Sequence, residues 1–266
     1  MTTTLVVLAF LYLSFYLHVF LHEREHAKAA MKHGFRPHLL AIGAPIPFLW
    51  GVYWEIRHPK LLDGVPVRIY PLLIGGAFKF DLIQLRCLLQ CRFGLQAEIL
   101  SAGVWANFFY TLLGLSAFEA WLGRWSYMAG ALGCAFALWS GKKLFAVYLC
   151  PVISVLLGAY MLPRLVMDMI ALHPKASATI SHGIAQSFSF GLSPIQGVQI
   201  FLLAGFLVGL INLLPILPFD GGRLIHAFLG LRSRPVAKAY AYATLPFCLV
   251  ILAYSLFQEA YAIFVR

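Results

Sequence analysis

Long apolar runs separated by short charged segments dominate the hydrophobic pattern of this chain. A helix needs about 20 mostly apolar residues to cross a bilayer core of about 30 Å. We therefore predict an all-α polytopic membrane protein with about six transmembrane helices. The predicted spans are approximately residues 4–33, 97–122, 126–141, 143–163, 198–230 and 237–258, the fifth being interrupted at 212–222. The first run lacks a preceding basic region, so we interpret it as a retained span rather than a signal peptide.

Residues 40–80 show a different pattern, with shorter apolar runs and frequent Gly and Pro. The segment VPVRIYPLLIGGAFKF, residues 65–80, is rich in β-branched and aromatic residues and contains a pair of glycines. These features are typical of short strands and a turn. We predict a small membrane-associated β-sheet or hairpin after the first helix.

Two other segments depart from the pattern of simple spans. The apolar run at residues 127–140 is only 14 residues long, so it either uses flanking residues to span the bilayer or is re-entrant. Residues 164–197 are mixed and polar, and we interpret them as an exposed loop with an interfacial helix. No segment remains for an appended soluble domain, so residues 1–266 are predicted to form a single membrane-embedded domain.

The composition supports the membrane assignment. The chain is 61% hydrophobic and 11% charged, with a mean hydropathy of +0.83, whereas soluble domains average about 45–50% apolar and about 25% charged residues. The net charge of +10 does not indicate nucleic acid, because the basic residues are scattered between apolar runs. We interpret them as topology signals, and we expect the lipid bilayer, not nucleic acid, as a partner.

The distribution of Lys and Arg predicts an orientation. We expect the protein in the cell membrane or inner membrane. If its N-terminus lies on the outer side, the cytosolic segments hold 16 of the 20 basic residues and the outer segments hold four. The positive-inside rule favours this multi-pass topology over its mirror image. In this orientation His22 and Asp220 lie at the same depth, near the cytosolic face.

The charged residues that end the first apolar run read H-E-R-E-H, residues 22–26. On a helix His22 and His26 lie on one face and can bind one metal, while Glu23 stands beside them to transfer protons. This is the HExxH signature of zinc hydrolases. From the His and Glu content of the chain, the pattern is expected by chance about 0.007 times. The alternative, a purely structural histidine pair, is disfavoured by the cost of unpaired ionisable groups in a membrane.

A catalytic zinc usually takes three protein ligands and keeps one position for water. Asp220 is the best candidate for the third ligand, because prolines and glycines break its apolar segment, and irregular backbone at membrane depth lines a cavity or packs on protein. Asp63 also precedes a glycine but belongs to a polar turn, and Asp81 and Asp168 are weaker candidates. His18 lies on the same stripe as His22, but as a fourth ligand it would close the water position.

Two asparagines within predicted spans, Asn107 and Asn212, have two interpretations. Each can hydrogen-bond neighbouring helices together, or its amide can hold substrate backbone or stabilise a tetrahedral oxyanion. The five cysteines form no CxxC pair, which disfavours a cysteine zinc site. Cys87 and Cys91 have helical i, i+4 spacing, but we interpret them as apolar filling residues.

Three ordered motifs resemble those of the site-2 protease family of intramembrane zinc metalloproteases, peptidase family M50. They are HEREH in the first span, SAGVWANF at residues 101–108 and NLLPILPFDGG at residues 212–222. RIYPLLIGGAFKF, residues 68–80, is similar to the membrane-associated β segment of that family. The resemblance implies that His22, His26 and Asp220 bind one catalytic Zn²⁺ and that Glu23 is the general base and acid.

The resemblance also implies that the β segment pairs with an unwound substrate strand. The residues concerned are Gly75, Gly76, Ala77, Phe78, Lys79 and Phe80. The expected activity is hydrolysis of peptide bonds in or near transmembrane segments of substrate proteins, as in regulated intramembrane proteolysis. The chain departs from the family where Gly-Pro is replaced by Gly103-Val104 and Gly-Tyr by Gly76-Ala77. It also shows neither a PDZ nor a CBS domain, so substrate recruitment and any regulatory partner stay unspecified.

Two alternatives stay open from the sequence. A prenyl-protein type of membrane zinc protease also uses HExxH but recruits a downstream Glu, and here Glu98, Glu119 and Glu259 all lie near span ends. The second alternative is a non-catalytic zinc-binding scaffold or a metal transporter. A transporter is expected to carry polar residues at several depths, whereas this chain concentrates them at one.

Overall fold

The computed structural model describes residues 2–44, 51–57, 62–170 and 194–264. Within these residues the chain is mostly helical, with one small sheet after the first helix, as the sequence predicts. Three helical segments are long and apolar enough to cross a membrane in the part of the chain described. They are Phe93–Trp121, Lys142–Tyr160 and Ile195–Asn212.

The first helix, α1, extends over Thr2–Lys32 and carries H-E-R-E-H near its C-terminal end. A stripe of polar side chains runs along one face at four-residue intervals, because residues i and i+4 lie above one another on a helix. These residues are Ser14, His18, His22 and His26, and all four are buried. The apolar helix therefore directs a line of polar groups towards the protein interior.

Gly34 follows the end of α1. Its φ of +82° is a left-handed conformation that glycine adopts without steric cost. The Gly34 N–H donates to the Met31 carbonyl oxygen at 3.0 Å, and the Phe35 N–H donates to the Ala30 carbonyl oxygen at 3.0 Å. These bonds satisfy carbonyls of the last helical turn before the chain enters the sheet.

A four-stranded sheet follows α1, with the spatial order β2-β3-β1-β4. Its strands are β1 Leu39–Ala44, β2 Trp54–Ile56, β3 Val67–Ile69 and β4 Leu72–Lys79. β1 pairs with β3 in parallel and with β4 antiparallel, and β2 pairs with β3 antiparallel. Strand β4 therefore lies at an edge, with one side unpaired within the described residues.

Hydrogen bonds from α1 hold the start of β4. The Tyr16 hydroxyl donates to the Tyr70 carbonyl oxygen, and the Tyr12 hydroxyl donates to that of Pro71. The turn predicted within residues 65–80 falls at Tyr70-Pro71, between β3 and β4. The glycine pair at 75–76 lies inside β4 and does not form the turn.

A helix that the sequence pattern does not predict lies between the sheet and the second span. Helix α2, Leu82–Gln90, occupies this position. Several of its apolar side chains are exposed, namely Leu82, Ile83, Leu85 and Leu89. Apolar side chains on a short helix beside a span are suited to the interface between lipid and water.

Helix α3, Phe93–Trp121, lies at the centre of the fold. It packs against α1 and against three later helices, so its middle section is buried from Ser101 to Asn107. After it come α4, Trp125–Ser140, and α5, Lys142–Leu144. A π-helical turn at Phe145–Leu149 then leads without a break into α6, Cys150–Ile170.

The predicted interruption of the fifth span is present. Helix α7, Pro194–Asn212, ends at the first residue of NLLPILPFDGG, and α8, Asp220–Arg232, begins at its aspartate. The two glycines that follow Asp220 pack tightly. A Cβ on Gly221 would overlap the Leu213 carbonyl group, and a Cβ on Gly222 would overlap that of Ile216. Helix α9, Arg234–Phe264, completes the described chain.

The predicted loop at residues 164–197 is too long at both ends. Helix α6 continues to Ile170 and α7 already begins at Pro194. The polar residues that suggested a loop at these ends are accommodated in helix, because a single Arg or Gln in an apolar helix costs little helix propensity. The rest of that prediction, residues 171–193, lies outside the described residues.

Candidate metal centre

Three side-chain atoms from two distant segments meet in the interior. His22 Nε2 lies 2.8 Å from Asp220 Oδ2, His26 Nε2 lies 2.9 Å from the same oxygen, and the two Nε2 atoms are 3.0 Å apart. All three residues are at least 97% buried. The atoms form a nearly equilateral triangle, so they face one common point.

Helix geometry accounts for this convergence. His22 and His26 are one turn apart on α1, while Asp220 is the first residue of α8. Helix α3 passes directly beside both imidazoles at Gly103, where a Cβ would lie 2.7 Å from His22 Cδ2 and closer still to His26 Nε2, an atom of the triangle. Glycine at position 103 therefore allows α3 to approach both rings closely.

Two contacts outside the triangle fix the orientation of the His26 ring. Its Nδ1–H donates to the Ile99 carbonyl oxygen at 2.6 Å. A neutral imidazole with its proton on Nδ1 has a free lone pair on Nε2, which is the atom in the triangle. Phe78 of β4 stacks on the other side, with ring centroids 5.5 Å apart.

On the opposite side of the triangle, Asn107 is fully buried beside His22. Its Nδ2 lies 3.0 Å from His22 Nδ1. Asn107 Oδ1 has no hydrogen-bond partner among the described residues. Helix α3 therefore contacts both histidines, through a backbone carbonyl at Ile99 and through a side-chain amide two turns later.

Glu23 lies beside the triangle with one carboxylate oxygen unused. The residue is 6% exposed, and its Oε2 has no hydrogen-bond partner among the described residues. A Cβ on Gly76 would lie 2.5 Å from Glu23 Cγ and 3.0 Å from Glu23 Oε1. Strand β4 can pass over the carboxylate only because residue 76 is glycine.

The positively charged side chain of Arg223 lies near the Asp220 carboxylate. Arg223, one turn further along α8, holds its Nη1 3.6 Å from Asp220 Oδ1. Asp220 thus directs Oδ2 to the two histidines and Oδ1 towards a guanidinium. Opposed contacts of this kind fix the orientation of a carboxylate.

The donor set fits zinc. Two imidazole nitrogens and one carboxylate oxygen are the ligands that catalytic zinc sites use, and they leave a fourth position for water. Tetrahedral zinc with bonds of about 2.0–2.1 Å keeps its ligand atoms about 3.3 Å apart. The observed 2.8–3.0 Å requires the triangle to open by only about 0.4 Å. Within the described residues, these three form the one group of His, Cys, Asp and Glu side chains arranged to hold a metal.

Comparison with known protein families decides the class of the chain. The model of peptidase family M50 matches residues 10–255. The chain belongs to peptidase family M50. Members of this family are membrane-embedded metalloproteases, so this M50 peptidase is a membrane protein and a peptidase, in agreement with its three apolar helices. No curated protein and no solved structure matches it.

The other aspartates considered as ligands lie elsewhere in this M50 peptidase. Asp63 is exposed in a 3₁₀ turn, Leu62–Gly64. Asp81 is 68% exposed in its side chain and lies 3.5 Å from His38. The side chain of Asp168 lies outside the described residues.

His18 and Asn212 do not enter the triangle either. His18 Nε2–H donates to the Phe201 carbonyl oxygen at 2.9 Å, and its Nδ1 has no partner among the described residues. Asn212 Nδ2 donates to the Val208 carbonyl oxygen of its own helix at 2.9 Å. Cys91 Sγ donates to the Cys87 carbonyl oxygen, which is an ordinary bond within a helical turn.

The glutamates that a prenyl-protein type of site would need are engaged in ion pairs. Glu98 pairs with Lys32 and His33, and Glu119 pairs with Arg124. Neither belongs to the group around His22. The side chain of Glu259 lies outside the described residues.

Two neighbours of His26 could not be predicted from the sequence: the Ile99 carbonyl oxygen and the stacked Phe78 ring. Every residue carries a carbonyl, so no residue type signals the first contact. Phe78 was singled out only as part of the β segment. Its contact with His26 depends on the tertiary position of β4 over α1, which the strand pattern does not encode.

Proposed function

We propose that this M50 peptidase is a zinc metalloendopeptidase that hydrolyses peptide bonds in or near the transmembrane segments of substrate proteins. The observation that carries the proposal is the unpartnered carboxylate oxygen of Glu23 beside the triangle of His22, His26 and Asp220. A buried carboxylate without a partner is costly, so its retention beside a metal-binding group supports a chemical role.

The residues divide the chemistry between them. His22, His26 and Asp220 would hold the zinc, which when bound supplies Lewis-acid activation of water and of the scissile carbonyl. Glu23 takes a proton from the attacking water, and it then donates that proton to the leaving amine nitrogen. Its free Oε2 is the atom available for this transfer.

Strand β4 supports a route for holding the substrate. A helical substrate hides its carbonyls in intrahelical hydrogen bonds, so it must unwind locally before hydrolysis. The open edge of β4 can pair with the unwound strand and offset the cost of unwinding. The proposed pairing residues are Gly75, Gly76, Ala77, Phe78, Lys79 and Phe80. Because β4 passes over Glu23 at Gly76, a strand paired there would bring its backbone to the carboxylate.

A cavity beside the C-terminal half of β4 gives the substrate chain room. It has a volume of about 460 Å³ and is bordered by β4, α2, the start of α3 and α8. Its lining combines apolar side chains such as Leu85 and Leu89 with the cationic Lys79 and Arg223. We propose that it takes the segment of substrate that flanks the cleaved bond.

The proposed topology has about six transmembrane helices, with the N-terminus outside and the metal site near the cytosolic face. Its support is the 16 to 4 distribution of basic residues together with the helix order. In this arrangement the sheet and α2 lie at the cytosolic surface. Membrane-spanning proteins would be the substrates, and the bilayer would be the medium in which they meet the enzyme.

One experiment tests the proposal. The purified peptidase is incubated with a library of single-span peptides, with and without a zinc chelator, and the cuts are mapped by mass. We expect Glu23→Gln to slow cleavage by about 10²- to 10⁴-fold, the usual contribution of general acid–base catalysis. Glu25→Gln is the matched control, because Glu25 is a buried carboxylate of the same helix that pairs with Lys28 at 3.1 Å. Cleavage by the Glu23→Gln variant at the wild-type rate would refute the proposal.

A further inference from the structure

We infer that Asn107 is a positioning residue, whose side-chain oxygen holds His22 in the tautomer that a metal requires. The inference rests on the proposed zinc site and adds a role for a residue outside its ligand set. Asn107 is 0% exposed and touches His22 at Nδ1, the ring atom that faces away from the triangle. It therefore does not share the space in which a substrate would react.

The contact joins two nitrogen atoms, Asn107 Nδ2 and His22 Nδ1, 3.0 Å apart. A hydrogen bond between them needs a proton on one and a lone pair on the other. If the amide donates, Nδ1 carries the lone pair, and the single proton of a neutral ring sits on Nε2. An Nε2 that carries a proton has no lone pair for a metal, so this arrangement is incompatible with the triangle binding zinc.

Rotating the amide by half a turn exchanges its nitrogen and oxygen, which are nearly alike in shape. Oδ1 then accepts a hydrogen bond from the His22 Nδ1–H, and Nε2 presents its lone pair to the triangle. At present Oδ1 has no partner within the described residues, and after rotation Nδ2 takes its place. The present orientation therefore has no hydrogen bond at Oδ1 that rotation would break, and the requirement of the metal decides between the two orientations.

His26 supports the same arrangement independently. Its Nδ1–H donates to the Ile99 carbonyl oxygen at 2.6 Å, and its Nε2 faces the triangle. With Asn107 Oδ1 as an acceptor, both histidines are oriented by oxygens of α3, eight residues apart. Metal-bound histidines generally donate their second ring N–H to such an oxygen, and loss of that partner typically weakens metal binding by about 10- to 100-fold.

This role differs from the oxyanion role in the atom that it uses. A positioning residue needs an acceptor, whereas an oxyanion-stabilising residue needs an N–H donor. Asn107→Asp keeps the acceptor and removes the donor without changing the shape. Asn107→Leu removes both, and Asn107→Ala does so without added bulk.

The test measures the zinc dissociation constant of the full-length protein by competition with a chelator of known affinity. We expect Asn107→Leu and Asn107→Ala to bind zinc about 10- to 100-fold more weakly than wild type, and Asn107→Asp to remain within about threefold, because its carboxylate accepts the Nδ1–H. Thr111→Val is the matched control, since Thr111 is one turn further along α3, its hydroxyl has no hydrogen-bond partner among the described residues, and that oxygen faces Gly205 of α7. Its zinc affinity is expected to equal that of wild type.

Three outcomes would overturn the inference. The first is wild-type zinc affinity in whichever of the Leu and Ala variants retains its helical circular dichroism. The second is an Asp variant as weak as the Ala variant. The third is a wild-type protein that binds no zinc, which also overturns the proposed function. A wild-type protein that binds zinc but cleaves no peptide removes only the proposed function, because affinity still reports on Asn107.

Discussion

His22 and Asp220 are 198 residues apart in the chain, yet His22 Nε2 lies 2.8 Å from Asp220 Oδ2. His22 belongs to α1, and Asp220 is the first residue of α8. A pair of ligands on one helix cannot complete a three-ligand site, so the third ligand depends on the break between α7 and α8.

Asp220→Ala is expected to abolish stoichiometric zinc binding. Losing one of three ligands should weaken binding by more than the about 10- to 100-fold of an outer partner. The measurement is the zinc content per mole of protein after gel filtration. Asp63→Ala is the control, because Asp63 also precedes a glycine but is exposed. Full zinc content in the Asp220→Ala variant would remove Asp220 from the ligand set.

Gly76→Ala is expected to reduce peptide cleavage at least about tenfold while zinc content stays at the wild-type level. The added Cβ would lie 2.5 Å from Glu23 Cγ, so either the carboxylate or β4 must shift, and small misplacements of catalytic groups cost about that much or more. Gly130→Ala, where no atom lies within 4 Å of the new Cβ, controls for the substitution itself. Equal cleavage rates for the two variants would show that β4 does not constrain Glu23.

Gly103→Ala tests the contact between α3 and the histidines. A Cβ there would lie 2.7 Å from His22 Cδ2, and overpacking of a tight interior typically costs about 1–3 kcal/mol. We expect a lower unfolding temperature and weaker zinc binding together, because the same methyl group displaces both imidazoles. Gly133→Ala on α4 has open space around its Cβ and should change neither quantity. A Gly103→Ala protein with wild-type stability and affinity would contradict the packing described.

Removal of zinc is expected to abolish cleavage and to lower thermal stability. A ligand that binds only the folded state stabilises it by about 4 kcal/mol at a free concentration of about 1,000 times its dissociation constant. Chelator treatment followed by thermal unfolding measures the loss, and added Zn²⁺ should restore both cleavage and stability. In the Asp220→Ala variant the chelator should leave the unfolding temperature unchanged. An equal shift in that variant would indicate that the metal binds elsewhere.

Much of the candidate site follows from local sequence. The i, i+4 spacing of His22 and His26 specifies their common face wherever α1 is helical, and prolines and glycines mark the break before Asp220. For Asp220 the sequence indicates an irregular backbone, but it does not indicate how close Asp220 lies to the histidines. Their meeting depends on how α1, α3 and α8 pack, which also brings Gly103 beside the rings.

The parts that could not be predicted depend on tertiary contacts. Strand propensity indicated β structure in residues 65–80, but glycine is equally common in turns, so the pattern could not show that Gly76 lies inside β4. Helix α2 was missed because its apolar residues resemble those of the neighbouring strands and span. Asn107 and Asn212 have the same residue type and the same kind of setting, yet the Asn107 amide contacts His22 whereas the Asn212 amide donates to the Val208 carbonyl oxygen of its own helix.

The distribution of the metal-binding group along the chain has a consequence for biosynthesis. His26 and Asp220 are 194 residues apart, and ribosomes add about 5–20 residues per second. For roughly 10–40 s the growing polypeptide therefore carries two of the three proposed zinc ligands and Glu23 but not the third. We expect a truncated chain that ends before residue 212 to retain no zinc, so proteolytic capacity would appear only after Asp220 has been added and α8 has packed against α3.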